Sequence, residues 1–597
     1  MKFRGYVLLL LLCFCIRGVW GQEFTGRVSD QSGAAVTTAT IEVRNLLTNE
    51  SIKTETNGSG VYTVPYLKPG KFSVSATAAG FESVIKNNIT LETGKTGVVN
   101  FVLKIGSVSS SVTVEANVDL DLGKADRGEV VENARVTEMP LNGRDPELLA
   151  ELNAGVVWGN SQNYSQYQRP FDSTMTSLTI NGGGAANNVL QLDGVSNDSG
   201  NGNGVAGYVP PVDAVQEFKI ITNPYDAQFG RGQGGVVDMN LKTGTNQLHG
   251  DAYEFARRSW LDSDTWQNDW LNATQGAGTA PKGRHKLDQF GFELDGPVYL
   301  PHVYNGHDKT FFLLQFENWD ESVPNTLVTS VPDPTWLTGD FSNLVWWTGS
   351  AYSPITLYDP TTIHQDSHGN WVRDPFTNNQ IPTNRFNAVA SALLAYYPKP
   401  NVTPPSGTNP FANNYTTQNP TTDTYRNVLA KIDHNFGQRD RMTLRYGYWE
   451  RWEVRSDNGM PGLAKSGAEP FGQHGPTFAG EWVHTFSPSL VFDLRGSVIV
   501  RNNGWNNGPQ NFPMSSIGWD ASQLGTHMPY MEISEFAYLG NQGANIDVEN
   551  AAALLPSVTW IKGKHTVHFG VDLRDMQKAI KSTEDGPSFW IDRQWTQ

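Results

Sequence analysis

Cysteine is almost absent from the sequence: its 597 residues include only Cys13 and Cys15. Both lie in residues 1–21, which have the pattern of a secretory signal, with Lys2 and Arg4 ahead of a short apolar core. We therefore expect this segment to be removed on export. The exported chain then has no cysteine, which excludes disulfide bonds and a catalytic thiolate.

Long hydrophobic runs are also missing. After the N-terminal signal, no stretch of about 20 apolar residues occurs, although a transmembrane helix requires one. This excludes a helical membrane protein. Positive charge is scarce, since the net charge is −16, and we expect no nucleic-acid partner because phosphate binding needs a basic surface. Glycine (59 residues) and aromatic side chains (11%) are abundant instead, which favours many strands and long loops.

Patterns that carry catalysis or cofactor binding are missing too. The 12 histidines are scattered, and neither H-E-x-x-H nor a G-x-S-x-G with a nearby acid and histidine occurs. Residues 202–207 and 230–235 match G-x-G-x-x-G, but neither stands between a strand and a helix, so neither predicts a dinucleotide site. We therefore expect no enzyme activity, no catalytic residue, no metal site and no cofactor.

Residues 22–105 alternate apolar and polar positions in about seven short runs, separated by turn sequences such as 57–60 and 68–71. This pattern predicts a small Ig-like β-sandwich. The motif residues are Gly26-Arg27-Val28, Asp30, Gly33, Gly60-Val61-Tyr62, Leu67, Pro69-Gly70 and Ala79-Gly80-Phe81. They resemble the carboxypeptidase regulatory-like domain. Because the segment contains no histidine and no cluster of metal ligands, we interpret it as a binding or spacer module.

A linker follows at 106–118 and contains a candidate energy-coupling segment. The segment consists of Val112, Thr113, Val114, Glu115 and Ala116. It resembles the TonB box, a short extended stretch that adds as a strand to a periplasmic energy-coupling protein. Backbone pairing supplies the affinity in such contacts, so the demands on side chains are loose. The alternative interpretation is a last strand of the sandwich followed by a tether.

Residues 119–249 form a separate unit with a different residue pattern. A helix is predicted within 131–153, opened by Asp145-Pro146-Glu147, because proline is tolerated in a first turn and acidic residues suit the helix dipole there. Its apolar stripe would consist of Leu148, Leu149 and Leu152.

Ordered motifs in the same unit carry the most specific resemblance. They are Leu141-Asn142-Gly143-Arg144, Leu192-Asp193-Gly194-Val195 at the end of 188–195, residues 212–219, Phe229-Gly230-Arg231 with Gly235 in 225–237, and residues 242–250. This set resembles the plug domain of Oar-like TonB-dependent outer-membrane receptors. Within it, Arg144, Asp193 and Arg231 are candidates for charged contacts with a polar barrel lumen. The alternative is that each of these charges is simply solvated.

From residue 250 to residue 597, apolar residues alternate with polar ones. Phe290, Phe292 and Leu294, for example, alternate with Gln289 and Glu293. A soluble sandwich would show the same alternation, but the connections here are alternately short and long, as in an outer-membrane barrel. The predicted strands lie near 250–257, 288–298, 310–319, 427–436, 441–449, 477–486, 490–501, 554–561 and 565–576, with long loops at 258–287, 320–426, 450–476 and 502–553.

The expected fold is therefore mainly β: an Ig-like β-sandwich, an α/β plug domain and part of an antiparallel transmembrane β-barrel. Nine strands are fewer than the roughly 22 of this receptor class, and an open edge cannot face lipid. We therefore expect the sequence to be a fragment of a longer receptor. The expected location is the bacterial outer membrane, in contact with its lipid.

The resemblance implies energy-coupled uptake of an unidentified substrate, a carbohydrate or a peptide, with a TonB-type periplasmic protein as partner. The extracellular substrate would be small or oligomeric, and its binding residues are not identified. Trp336, Trp346, Trp347 and Trp371 suit either stacking on sugars or packing within loops. Two alternatives are an Oar-like surface protein for adhesion or protein export, and a secreted carbohydrate-binding β-protein.

Overall fold

The computed structural model describes most of the chain after the expected signal, and residues 1–21 lie outside the described part. No helix among the described residues has the length and apolar character needed to cross a bilayer. The described residues are 22–106, 111–115, 119–120, 127–139, 144, 146–158, 178–184, 187–199, 206–223, 228–230, 232, 234–276, 278, 282–348, 351–467, 471–505, 512–519, 528–541, 544–563, 565–583 and 588–591.

The N-terminal sandwich is built from short strands in two sheets. The strands are β1 Glu23–Asp30, β2 Thr40–Asn45, β3 Ser51–Glu55, β4 Val61–Val64, β5 Gly70–Thr77, β6 Ser83–Leu91, β7 Thr96–Val98, β8 Phe101–Leu103, β9 Ser111–Glu115 and β10 Asp119–Leu120. One sheet has the order β10–β7–β1–β4, with β8 also paired to β1, and the other has the order β3–β2–β5–β6–β9. Alternate side chains fill the core, where Phe24 and Phe72 pack edge to face with 5.4 Å between ring centroids.

The plug follows the sandwich and has its own mixed sheet. Its elements are β11 Arg127–Glu132, α1 Asn133–Glu138, a 3-10 helix Pro146–Leu152, β12 Val156–Trp158, β13 Leu178–Ile180, β14 Val189–Leu192, β15 Val195–Ser196, a 3-10 helix Val212–Ala214, β16 Val215–Asn223 and β17 Val236–Leu241. The sheet order is β11–β16–β17–β14–β15, and β12 pairs with β13. Phe218, Ile220, Val237 and Met239 are buried in its core.

The helix predicted after Pro146 is shorter and tighter than expected, because it is a 3-10 helix of seven residues. Leu149 is buried against the plug core, but Leu152 is exposed, so the predicted apolar stripe is wrong at Leu152. Among the described side chains of this helix, only those of Leu149 and Ala150 are buried. The side chain of Leu148 lies outside the described part.

The C-terminal region is a run of long strands interrupted by folded loops. Its elements are β18 His249–Arg258, α2 Trp266–Gln275, β19 Lys286–Pro297, β20 Tyr299–Leu300, β21 Tyr304–Asn305, β22 Thr310–Val323, β23 Thr326–Thr329, β24 Val345–Trp347, β25 Tyr352–Pro354, β26 His364–Gln365, β27 Trp371–Val372, α3 Ala388–Leu394, β28 Tyr415–Gln418, β29 Thr421–Asn435, β30 Asp440–Val454, β31 Phe471–Ser487, β32 Leu490–Trp505, β33 Tyr530–Ile533, β34 Ala544–Lys562, β35 His565–Gly570, β36 Leu573–Thr583 and β37 Ser588–Ile591.

Ten of these strands form one antiparallel sheet, which we call the barrel wall. Its order is β18–β19–β22–β29–β30–β31–β32–β34, with β35 and β36 both paired to β34. Each predicted barrel strand corresponds to a strand of this sheet, except that the last one is divided at residues 571–572. The short connections after Ser487 and after Lys562 lie on the same side of the sheet as the short link 436–439.

The long loops are not irregular, since they share a hydrophobic core of their own. Val331, Leu393, Met460, Met514 and Leu539 are buried in it, although they come from three separate loops. Strand β33 in one loop also pairs in parallel with β37 at the end of the described chain. The loops therefore form a folded unit at the end of the wall opposite the short turns.

The barrel wall is polar on its buried face and apolar on its exposed face. Glu317, Lys431 and Asp493 are buried, whereas Ile432 is 47% and Val498 is 48% exposed. A soluble β-protein has the reverse distribution, because apolar surface is driven out of water. This distribution fits a wall whose outer face contacts hydrocarbon and whose inner face encloses a polar lumen. It disagrees with the alternative of a secreted soluble β-protein.

The outward position of Val498, near the middle of β32, gives a test of this assignment. Val498→Arg should destabilise the inserted barrel by about 2–4 kcal/mol, the cost of a cationic side chain facing lipid at the bilayer midplane. We expect less full-length protein in the outer-membrane fraction and a weaker heat-modifiable band on gels of unboiled samples. Ile363→Arg is the matched control, because Ile363 is 55% exposed on a loop. Equal behaviour of the two variants would contradict a lipid-facing wall.

Candidate functional site: the plug and its contacts

Asp193 is the centre of the charged contact between plug and wall. It lies in the tight turn between β14 and β15 with a φ of 54°. Its carboxylate is 2.9 Å from Nη1 of Arg445 and 3.3 Å from Nζ of Lys431, and it accepts a hydrogen bond of 2.9 Å from the backbone N–H of Leu241. Burial alone would raise the pKa of Asp193, but the two cations hold it below its ordinary value.

Gly194 continues this contact through its backbone. Its carbonyl accepts a hydrogen bond of 2.9 Å from Nη1 of Arg495, which also pairs with Asp493 at 2.7 Å. With a φ of 68°, Gly194 has a conformation that other residues rarely adopt, and a Cβ atom there would lie 2.6 Å from Arg495. The glycine of this motif therefore lets the plug backbone approach an arginine of the wall.

Further contacts between plug and wall involve residues that the sequence analysis did not select. The Tyr208 hydroxyl donates to Oδ1 of Asn427 at 2.6 Å, and Nε1 of Trp449 donates to the carbonyl of Gly207 at 3.2 Å. Asp198 of the plug pairs with Arg574 at 2.7 Å. Inward positions on the strands were visible as polar residues in an alternating pattern, but their partners are distant in sequence.

Arg144 links the first plug motif to the start of the wall. Its guanidinium pairs with Asp213 at 2.7 Å and lies over the rings of Tyr253 and Phe255 in β18, 4.5 and 4.4 Å from their centroids. It therefore contributes to the plug and to the wall, as a cation over aromatic faces. The other residues of this motif, Leu141, Asn142 and Gly143, lie outside the described part.

The last glycine-rich motif packs inside the plug. Phe229 contacts the apolar cluster of Val189, Ile221 and Val236. A Cβ atom at Gly235 would lie 2.7 Å from the Ile180 side chain, so this position requires glycine. Gly230 is exposed and has open space where a Cβ atom would lie, and Arg231 lies outside the described part.

The candidate energy-coupling segment is held by the sandwich. Residues Ser111–Glu115 form β9, which pairs in parallel with β6, from Ser83 opposite Ser111 to Asn87 opposite Glu115. Ala116 lies outside the described part. The position is that of an edge strand of the sandwich sheet, which is also the geometry that a strand-adding partner requires.

The sandwich contacts the plug through the turn between β6 and β7. The backbone N–H and the hydroxyl of Thr93 both donate to Oε1 of Glu217, and Nδ2 of Asn240 donates to the same hydroxyl at 2.9 Å. Nζ of Lys219 donates to the carbonyl of Gly94 at 3.1 Å. Burial raises the pKa of Glu217 to about 7, although the hydrogen bonds from Thr93 act in the other direction.

The sandwich also contacts the barrel wall, through the loop after β4. The Tyr66 hydroxyl lies 2.8 Å from Oγ1 of Thr559 and 3.1 Å from Oγ of Ser557. Nζ of Lys68 pairs with Asp433. Sandwich, plug and wall together line a cavity of about 430 Å³, whose charged lining residues include Lys68, Asp193, Lys219 and Arg445.

The four tryptophans selected from the sequence, Trp336, Trp346, Trp347 and Trp371, differ in their exposure. Trp336 packs within the loop unit, with its ring 4.5 Å from Phe411 and 5.9 Å from Phe341 between centroids. Trp346 and Trp347 lie on the β24–β25 hairpin and are partly exposed, and Trp371 is 67% exposed. Of these four tryptophans, Trp336 is the least exposed.

Removal of the Asp193 charge should weaken the plug in its barrel. Asp193→Asn leaves Lys431 and Arg445 buried without their counterion, which costs about 3–5 kcal/mol in such settings. We expect a clear fall in the apparent Tm of the full-length protein in detergent. Glu129→Gln removes an exposed plug ion pair with Arg135, so it should change stability by at most about 1 kcal/mol. Similar Tm values for both variants would refute the central role of Asp193.

The contact between sandwich and plug should depend on pH. The pKa of Glu217 is raised from 4.5 to about 7, so its contribution is fully present below about pH 4.5 and is lost as the pH rises through 7. Glu92, Asp238 and Lys219 are the charged groups nearby, and Glu217→Gln isolates the effect of Glu217 from theirs. We expect the hydrogen-exchange protection factor of the Thr93 amide to be higher at pH 5.5 than at pH 8. This difference should shrink in Glu217→Gln, and an unchanged difference would contradict the assignment.

Comparison with known proteins gives the family. Residues 240–597 match the family described as Outer membrane beta barrel domain, and residues 23–104 match the Carboxypeptidase regulatory-like domain. The TonB-dependent transporter Oar of Myxococcus xanthus is 27% identical over 282 residues, which are 44% of this chain and 24% of that protein. The chain thus spans about a quarter of the length of this curated relative.

Two solved structures of outer-membrane receptors are similar as well. The outer membrane transporter YddB of Escherichia coli is 10% identical with a TM-score of 0.45, over 78% of this chain and 50% of that chain. A mutant of the ferric enterobactin receptor PfeA of Pseudomonas aeruginosa is 11% identical with a TM-score of 0.41, over 76% of this chain and 49% of that chain. The family match covers more than half of the chain, and it confirms the predicted family, fold class and location. The chain belongs to the outer membrane beta barrel domain family, and part of it is similar to the TonB-dependent transporter Oar.

Proposed function

We propose that the protein imports an extracellular solute across the outer membrane, by a plug movement that a periplasmic TonB-type protein drives. The observation that carries the proposal is the buried polar contact between plug and wall, centred on Asp193 between Lys431 and Arg445. A plug with such contacts closes the lumen until they are broken. Because breaking buried ion pairs costs several kcal/mol, import through this lumen needs an energy source.

The candidate segment Val112–Ala116 supports the same function. It precedes the plug in the chain, and its residues Val112–Glu115 lie in β9, an edge strand of the sandwich sheet. Edge strands offer unpaired backbone groups to a partner strand, so a periplasmic protein can recognise this segment with little side-chain specificity. Uptake would then depend on these five residues.

We propose a carbohydrate or a peptide as the substrate. Trp346, Trp347 and Trp371 are exposed on the loop unit, where an amphipathic ring presents an apolar face with a polar tip. Such surfaces suit carbohydrates with apolar ring faces and also peptides. The alternative function is adhesion or protein export without uptake, as in an Oar-like surface protein. This alternative does not require energy-driven opening of the plug for a solute.

A single cysteine in the plug gives the test, since residues 22–597 contain no cysteine of their own. Ala206→Cys places the thiol at a plug position that is only 8% exposed. In intact cells growing in complex medium, a membrane-impermeant maleimide should label the full-length protein faster when the inner membrane is energised than after a protonophore. Deletion of Val112–Ala116 in this protein should lower labelling to the protonophore level.

The control is deletion of residues 404–408, an equally long segment of a loop. It should leave energised labelling unchanged. Labelling that depends neither on the protonophore nor on Val112–Ala116 would contradict energy-coupled import and would favour adhesion.

A further inference from the structure

Two strands of the sandwich hold the segment that joins it to the plug. Strand β9, which contains most of the candidate box, pairs with β6 over five residues. Strand β10, on the plug side of β9, pairs with β7, with Asp119 opposite Val98 and Leu120 opposite Gly97. A force applied to β9 therefore acts on the sandwich before it can act on β11 through the chain. The sandwich must either release both strands or move with them.

The turn between those same two holding strands is the place where the sandwich touches the plug sheet. β6 ends at Leu91 and β7 begins at Thr96, and Thr93 between them is fully buried against Glu217 and Asn240. Lys219 is also buried, and it donates to Gly94 in the same turn. The hydrogen bond from the Lys219 ammonium group is charge-assisted, and such bonds are stronger than those between neutral groups, so this turn is well attached to the plug.

The outer edge of β9 leaves room for a partner. The sheet order ends at β9, and no strand of the described residues pairs on its other side. A partner strand can therefore add to β9 while β9 stays paired with β6. Addition to an existing sheet edge needs no prior unfolding of the sandwich.

We infer that the sandwich transmits the force by which the periplasmic energy-coupling protein moves the plug. The partner strand adds to the outer edge of β9, and the pull passes through β6 and the Thr93–Gly94 turn into β16 and β17 of the plug. This inference rests on the proposed energy-coupled import. It differs from a free tether, in which the segment would leave the sandwich and pull on β11 through the chain alone.

The first test breaks the contact between the sandwich and the plug. Thr93→Val with Glu217→Gln removes the hydroxyl and the charge, and both changes keep the side-chain shapes. In the Ala206→Cys protein we expect energised labelling to slow by about tenfold, the order of effect expected for one lost hydrogen bond. The affinity for the purified periplasmic domain of the TonB-type protein should stay unchanged, because β9 is intact.

The matched control carries the same substitutions at exposed places in the same two domains, Thr90→Val with Glu129→Gln. This variant should be labelled at the same rate as the parent Ala206→Cys protein. If the contact variant is labelled as fast as the control while both respond to the protonophore, force transmission through the sandwich is refuted and energy-coupled import stands. If the parent itself does not respond to the protonophore, the proposed import fails instead.

The second test asks whether β9 must leave the sandwich. Ile85 and Thr113 are direct neighbours across β6 and β9, so Ile85→Cys with Thr113→Cys allows a disulfide that fixes the two strands together. The full-length oxidised protein should bind the periplasmic partner domain with the same Kd as the reduced protein. Binding that appears only after reduction would overturn the inference. Loss of binding in both states, here and in Asn87→Cys with Glu115→Cys, would overturn it too, since edge pairing tolerates changed side chains.

Discussion

The constraint on which the structure depends is the sorting of side chains across one antiparallel sheet. Its strands expose Ile432, Val498 and their outward neighbours, and they bury Lys431, Glu317 and Asp493 on the other face. Apolar groups outside are stable only in hydrocarbon, and charged groups inside are stable only with partners. The wall therefore requires a membrane around it and a polar domain within it.

The plug meets the second requirement with a few well-placed charges and several backbone groups. Asp193 pairs with both Lys431 and Arg445, while the carbonyl groups of Gly194 and Gly207 accept from Arg495 and Trp449. Removing one member of such a set leaves its partners buried and unpaired, so the cost exceeds that of one ordinary hydrogen bond. The same set makes the closed state stable and opening dependent on work.

The strand pattern made the barrel wall predictable, because period-two alternation is local and survives in any sequence that must separate two solvents. The resemblance to a plug family selected Asp193, Gly194 and Arg144, all of which contact the wall or its first strand. Tyr208 and Asp198 were missed, since their partners Asn427 and Arg574 are more than 200 residues away and no local pattern pairs them. The 3-10 helix at Pro146 was also missed, because its short contact with the core is decided by tertiary packing.

The position of the Thr93 turn explains how a pull at the sandwich could act on the central ion pairs. Thr93 accepts a hydrogen bond from Asn240, and the next residue, Leu241, donates its backbone N–H to Asp193. A displacement of the turn therefore strains β17 directly beside the carboxylate that holds Lys431 and Arg445. Because the contacts would be loaded one after another from β17, each step costs about one contact and not the whole interface. A small domain docked on β16 and β17 of the plug sheet can thus lower the force needed to begin opening, without weakening the closed state.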